Sequence, residues 1–196
     1  MGGQTMDAIL QEFLQFFKVS FQPPVPKRGQ KGRAWQVSGV WSAYMKKWLL
    51  LNYAVHHEYR VGTRRLDAAL WSKANGVNQR NGKMDIALEW EWDNTKVASD
   101  FHKHKGDFQK CFEADAQCGL AIVHTRAHGN GGPTQADETV RSLMERCKEF
   151  RRDSRSVALI EIRRVLDEPE RVEFLVCSQD LDTSSNQEIG RWCYPQ

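Results

Sequence analysis

The stretch Met84-Asp-Ile-Ala-Leu-Glu-Trp-Glu-Trp92 sets Met84, Ile86, Leu88, Trp90 and Trp92 in alternation with Asp85, Ala87, Glu89 and Glu91. Successive strand side chains point to opposite faces. The pattern therefore predicts a strand with one apolar face and one face carrying three carboxylates. Just upstream, Arg64-Arg-Leu-Asp-Ala-Ala-Leu-Trp71 repeats the period, with Leu66, Ala68 and Leu70 on one face and Asp67, Ala69 and Trp71 on the other. Ser72 to Gly82 is rich in Asn and Gly and suits a long hairpin loop. Pairing the two strands brings Asp67 opposite the Glu89 region, where cross-strand neighbours lie roughly 5 Å apart.

Working outward, Ile9, Leu10, Phe13, Phe16 and Phe17 recur at helical spacing over residues 5–18. Gln22 to Gly32 holds three prolines and reads as a basic loop. A second helix is expected over 38–54, with Ser38 as N-cap and Trp41, Met45, Trp48, Leu49 and Asn52 along one stripe. Tyr59 and Val61 suggest a short strand, about 58–62, ended by Gly62. After residue 92 a helix beginning near Asp100 or Asp107 and running to Gln117 buries Phe108, Cys111 and Phe112. Gly119 stands where such a helix would stop, and Leu120–Thr125 follows as an apolar strand. A glycine-rich loop over His128–Pro133 leads to a fourth helix, opened by a Thr134/Asp137 capping box and burying Val140, Leu143, Met144, Cys147 and Phe150. Val157–Val165 and Arg171–Cys177 read as strands around a turn at Asp167-Glu168-Pro169. The last fifteen residues are polar and expected at the periphery, apart from Trp192 and Tyr194. The fold class is thus α/β (α+β), a central mixed β-sheet flanked by helices. A single domain over 1–196 divides into an N-terminal helix and basic loop (1–37), a core (38–126), and a helix, β-hairpin and tail (127–196).

Composition bounds the function. The 196 residues are 40% hydrophobic and 27% charged, and 28 Lys plus Arg against 25 Asp plus Glu leave a net charge of +3. That balance suits a soluble globular chain and permits a polyanionic partner without demanding one. No apolar run is long enough to span a bilayer, and no basic segment followed by an apolar core opens the chain, so neither a membrane nor a signal peptide is expected. Five cysteines, never spaced as CxxC, suggest reduced thiols and a cytoplasmic setting. His102, His104, His124 and His128 lack nearby soft ligands, which argues against zinc. Without GxxxxGK[ST] or GxGxxG after a strand, no nucleotide cofactor is expected.

The acids carry the chemistry. Carboxylates crowded onto one sheet face repel and raise one another's pKa unless a cation intervenes. Magnesium, bound by a few carboxylates and water, answers that repulsion and can activate water against a phosphodiester. Simple pairing of these acids with Arg or Lys on a wet sheet face is the competing explanation. Asp85 in particular is as well placed for Arg64 or Arg80.

Asp67 within Arg64–Leu70, Glu89-Trp-Glu91, the later Asp107–Glu113 and Gly119–Arg126 stretches, and the order helix, three strands, helix, strand together resemble the PD-(D/E)xK nuclease superfamily. They are most similar to those type II restriction endonucleases that carry Glu in place of the motif lysine. The resemblance implies a restriction-endonuclease-like core (αβββαβ plus an extra helix and hairpin). It also implies Mg²⁺-dependent hydrolysis of DNA, with Mn²⁺ able to substitute. Asp67, Glu89 and Glu91 are then the metal ligands, and Glu91 alternatively orients the attacking water. Glu58, ahead of the first core strand, and Lys96 are secondary catalytic candidates. Lys27, Arg28, Lys31, Arg33, Lys103, Lys105 and Arg126 are candidate contacts to the DNA backbone. Two strands to cut imply a homodimer or a partner subunit. A repair, recombination or phage-defence nuclease on the same core, and a non-catalytic nucleic-acid-binding protein with its acids merely paired, are the alternatives.

Overall fold

The computed structural model describes residues 8–22, 34–71, 84–92, 107–126, 156–164, 172–179 and 186–194. Its elements run α1 (Ala8–Ser20), α2 (Ala34–Asn52), β1 (Ala54–Val61), β2 (Arg64–Trp71), β3 (Met84–Glu91), α3 (Asp107–Glu113), β4 (Ala116–Arg126), β5 (Ser156–Arg164), β6 (Val172–Gln179) and β7 (Asn186–Tyr194). All seven strands join one sheet in sequence order. The β3–β4 and β4–β5 pairs are parallel and the other four antiparallel, so this is a mixed α/β fold. No described helix is long and apolar enough to cross a membrane.

Two helices cover one sheet face. The expected α2 stripe is buried at Trp41, Met45, Trp48 and Leu49. It packs with Leu10, Phe13 and Phe17 of α1 against Leu70, Leu88, Leu120, Ile160 and Phe174 of the sheet. Aromatic rings knit this layer: Trp48 stands edge-on to Phe13 and Phe17 with centroids 5.6 and 5.5 Å away, and Phe174 meets Phe17 at 5.8 Å. Such edge-to-face pairs add to the burial energy, because ring edges are positive and faces negative. The Trp48 indole N–H donates to Ser20 Oγ at 2.8 Å, so α1 and α2 are joined by a directional bond as well. On the opposite face α3 buries Phe108 and Cys111 against Leu66, Ala87, Ala121, Val123 and Leu159.

Several boundaries differ from expectation. Helix α2 starts at Ala34, leaving Ser38 inside it rather than capping it, and it yields to β1 at Ala54. That places Glu58 in mid-strand. Helix α3 stops at Glu113, and β4 begins at Ala116, so Gly119 is a strand residue paired with Ala87 and Val157. Parallel pairing on both sides overrides glycine's tendency to end a helix. The polar C-terminal stretch forms β7, an edge strand on β6; edge positions tolerate polar residues because one side faces solvent. The basic loop beyond residue 22, the 72–82 loop, the fourth helix and the turn at Asp167–Pro169 lie outside the described residues.

The β1–β2 hairpin carries an irregularity. Gly62, the first of two loop residues, has φ 60°, as a II′ turn requires. Glu58 has φ 53°, in the left-handed region that side chains rarely adopt. The ladder pairs His57 with Ala68 and Tyr59 with Leu66 but lapses between them, at Glu58 and Asp67. The kink shifts the alternation: Leu66 packs with the α3-side cluster and Ala68 and Leu70 with the α1/α2 side, against the expectation that all three share a face. Valine ordinarily outperforms glycine in a strand. At residue 58 the order is expected to reverse, with Glu58→Gly more stable than Glu58→Val by about 1–2 kcal/mol, because the left-handed backbone penalises a Cβ. Urea unfolding midpoints of the two variants check this.

Candidate functional site

Beyond Ala68↔Leu88 the regular β2–β3 pairing ends, and Asp67 and Glu89 occupy the next positions. Side chains take over from the backbone there. The Asp67 amide donates to Glu89 Oε1 at 3.3 Å, and the Trp90 amide donates to Asp67 Oδ2 at 2.8 Å. Each acid thus accepts the amide that the interrupted ladder leaves on the other strand. The expected juxtaposition of Asp67 and Glu89 is present.

Helix α3 closes over this point. Lys110 Nζ lies 3.1 Å from Glu89 Oε1 and donates to the Arg65 carbonyl at 2.6 Å, so one ammonium ties β2, β3 and α3 together. Glu89 is only 3% exposed. The acidic face of β3 is therefore dry where α3 covers it. Arg64 anchors the end of α3 through Glu113, 2.6 Å away, and Gln109 also bonds to Glu113. Asp85 is buried too and takes a hydrogen bond from Gln117 Nε2 at 3.0 Å; Arg64, one of its expected partners, goes to Glu113 instead.

Burial pushes the Asp67 carboxyl above the ordinary aspartate range, and the nearby Glu58 charge adds to that. The Trp90 amide, the Lys110 charge and a hydrogen bond with Glu89 pull the other way without cancelling it. Glu58 itself is exposed at the kink, one strand across from Asp67. Glu91 continues the Glu89 face two residues on, half-buried, with Val123 of β4 as its ladder neighbour. Lys96, Lys27, Arg28, Lys31, Arg33, Lys103 and Lys105 lie outside the described residues, as does the side chain of Arg126, which ends β4.

Among the described residues no group of three or more His, Cys, Asp or Glu side chains is placed to hold a metal ion. Among the described residues the site brings together the Asp67 and Glu89 carboxylates, the nearby Glu58 and the Lys110 ammonium. Asp67 and Glu89 are the pair that could hold a small hard cation, since such ions take carboxylate oxygens with waters completing the shell. Lys110 is the residue at this site that does not stand out in the sequence. Its signal is faint: a lysine between the buried Phe108 and Cys111 of a short helix, at the border of its apolar face. No family model, no curated protein and no solved structure matches this chain.

Lys110→Met is expected to destabilise the protein by about 3–5 kcal/mol, the usual consequence of removing one partner of a buried ion pair. Adding Glu89→Gln recovers most of that loss in a double-mutant cycle. Removing Arg191, an exposed residue paired with Glu188 and with the less exposed Glu173, costs less than Lys110→Met does. A second prediction concerns pH. With its pKa raised by folding, Asp67 keeps its proton in the native state at pH values where the unfolded chain has released it. Its contribution to stability therefore declines as pH rises from the ordinary aspartate value through the raised one. Urea midpoints measured from about pH 4 to about pH 7 should decline less in Asp67→Asn than in wild type.

Proposed function

We propose that the protein is a Mg²⁺-dependent endonuclease that hydrolyses DNA phosphodiester bonds, on a restriction-endonuclease-like core of the PD-(D/E)xK kind. The observation that carries this is the pair Asp67 and Glu89, set opposite each other where β2 and β3 part, with the Lys110 ammonium against Glu89. The succession α2, β1, β2, β3, α3, β4 supports the same core.

Asp67 and Glu89 would hold the magnesium, or manganese in its place. Such an ion, when bound, supplies Lewis acidity and a more acidic water. The remaining roles belong to the chain. The Trp90 amide orients the Asp67 carboxylate, so the ligand geometry is set before substrate arrives. Lys110 supplies from α3 the positive charge that Glu91 denies the strand, and it stabilises charge gathering on the scissile phosphate. Glu91, half-buried on the Glu89 face, orients the attacking water, and the exposed Glu58 adds negative potential beside Asp67. Cutting both strands of a duplex calls for two such sites, hence a homodimer or a partner subunit.

One observation favours a second reading. Glu89 already has a close ion-pair partner in Lys110, as expected of a non-catalytic nucleic-acid-binding protein whose acids are neutralised internally. Plasmid nicking separates the two. Wild type is expected to nick supercoiled DNA with Mg²⁺ or Mn²⁺ and not in EDTA, and Asp67→Asn and Glu89→Gln should each slow it about a hundredfold or more. DNA retention without cleavage under either metal favours the binding protein. Nicking unchanged in Asp67→Asn removes the proposed site.

A further inference from the structure

The end of the β1–β2 hairpin gathers three arginines. Arg60 faces Arg65 directly across the ladder, and Val61 faces Arg64. Both Arg60 and Arg65 are exposed. Like charges directly opposite one another weaken a strand pair, so this juxtaposition works against the hairpin that holds it. Arg64 gives one guanidinium nitrogen to Glu113, while its Nη1 is buried without an acceptor. Among the described residues neither Arg60 nor Arg65 has a carboxylate partner. The far edge of the sheet is treated otherwise: exposed Arg191 of β7 is neutralised by Glu173 at 2.8 Å and Glu188 at 2.9 Å. Among the described residues compensation is thus built in for Arg191 at one edge and missing for Arg60 and Arg65 at the other.

The uncompensated edge adjoins the acid pair. Lys110 reaches both the Arg65 carbonyl and Glu89, so a single side chain connects the hairpin end to the candidate site. By strand alternation Arg60 and Arg65 project from the hairpin face opposite Val61 and Arg64. Val61 and Arg64 face α3, so an anion held there lies across the hairpin from the α3-covered Asp67–Glu89 pair and does not block it. We propose that the Arg60–Arg65 pair grips the phosphodiester backbone of the DNA substrate, positioning it without taking part in chemistry. The inference rests on the nuclease reading for the identity of the polyanion. A phosphate between the two guanidinium groups offsets their repulsion, and their planar donors match phosphate oxygens in a way an ammonium does not.

Fluorescence anisotropy with a short labelled DNA duplex in EDTA, over a salt series, tests the contact without any cleavage. Each phosphate contact contributes about 0.9 to the slope of log affinity against log salt. Arg60→Gln/Arg65→Gln should therefore flatten the wild-type slope by about 2, and each single variant by about half as much. The single variants keep the result readable should the double variant fold poorly. Arg191→Gln should keep the wild-type slope. A double variant with the wild-type slope, or a wild type that does not bind the duplex, overturns the inference. Nicking by Asp67→Asn, run in parallel, separates it from the nuclease reading. A flattened slope with nicking intact in Asp67→Asn supports the grip and sinks the acid site. An unchanged slope with nicking abolished does the reverse.

Discussion

Burying carboxylates between a sheet and a helix is the constraint around which this structure is arranged. Isolated, an ionised carboxylate in such a place would be prohibitively unstable. Glu89 is tolerated because an ammonium and a backbone amide meet the same oxygen, and Asp67 because the Trp90 amide meets it from the neighbouring strand. Both amides are free to do so only because β2 and β3 stop pairing at that point. The break in the ladder and the acid pair are one feature seen from two sides.

Strain gathers beside it. The left-handed Glu58, opposite Asp67, marks the place where β1 gives up its pairing as well. Non-glycine residues in that conformation persist only where surrounding structure holds them there, and they are common near sites of function. The flanking pairs His57↔Ala68 and Tyr59↔Leu66 hold this one. Another buried acid shows the contrast. Glu161 of β5 is fully buried, yet its ladder runs without interruption, and Arg163 engages both its oxygens at 3.3 and 2.9 Å. From there the charges continue outward through Glu173 and Arg191 to Glu188. That chain alternates acid and base across three strands. At the Asp67–Glu89 site the ladder is interrupted instead, and burial pushes the Asp67 carboxyl upward.

Much of the core was legible from residue order. Strand β2 has the predicted bounds, β3 falls within a residue of them, and Trp41, Met45, Trp48 and Leu49 of the five-residue α2 stripe are buried, with Asn52 half-buried at its end. Asp67 stood out as one acid in an apolar strand, and the hairpin register that places it opposite Glu89 follows from loop length and alternation. The misreadings were local rules overridden from a distance. Gly119 looked like a helix stop and became a central strand residue, because β3 and β5 supply partners on both sides. The polar tail became β7 because β6 offered an unpaired edge.

Periodicity was enough to say which residues of β3 are acidic and that they share a face, since side-chain direction in a strand depends only on neighbours along the chain. Whether that face is wet or dry depends on which distant segment lands there, and no local pattern encodes that. Packing of α3 made it dry, brought Lys110 onto Glu89 and shifted the Asp67 proton equilibrium. The turn of Leu66 toward α3 beside the Glu58 kink has the same origin, since it depends on segments that meet only in three dimensions.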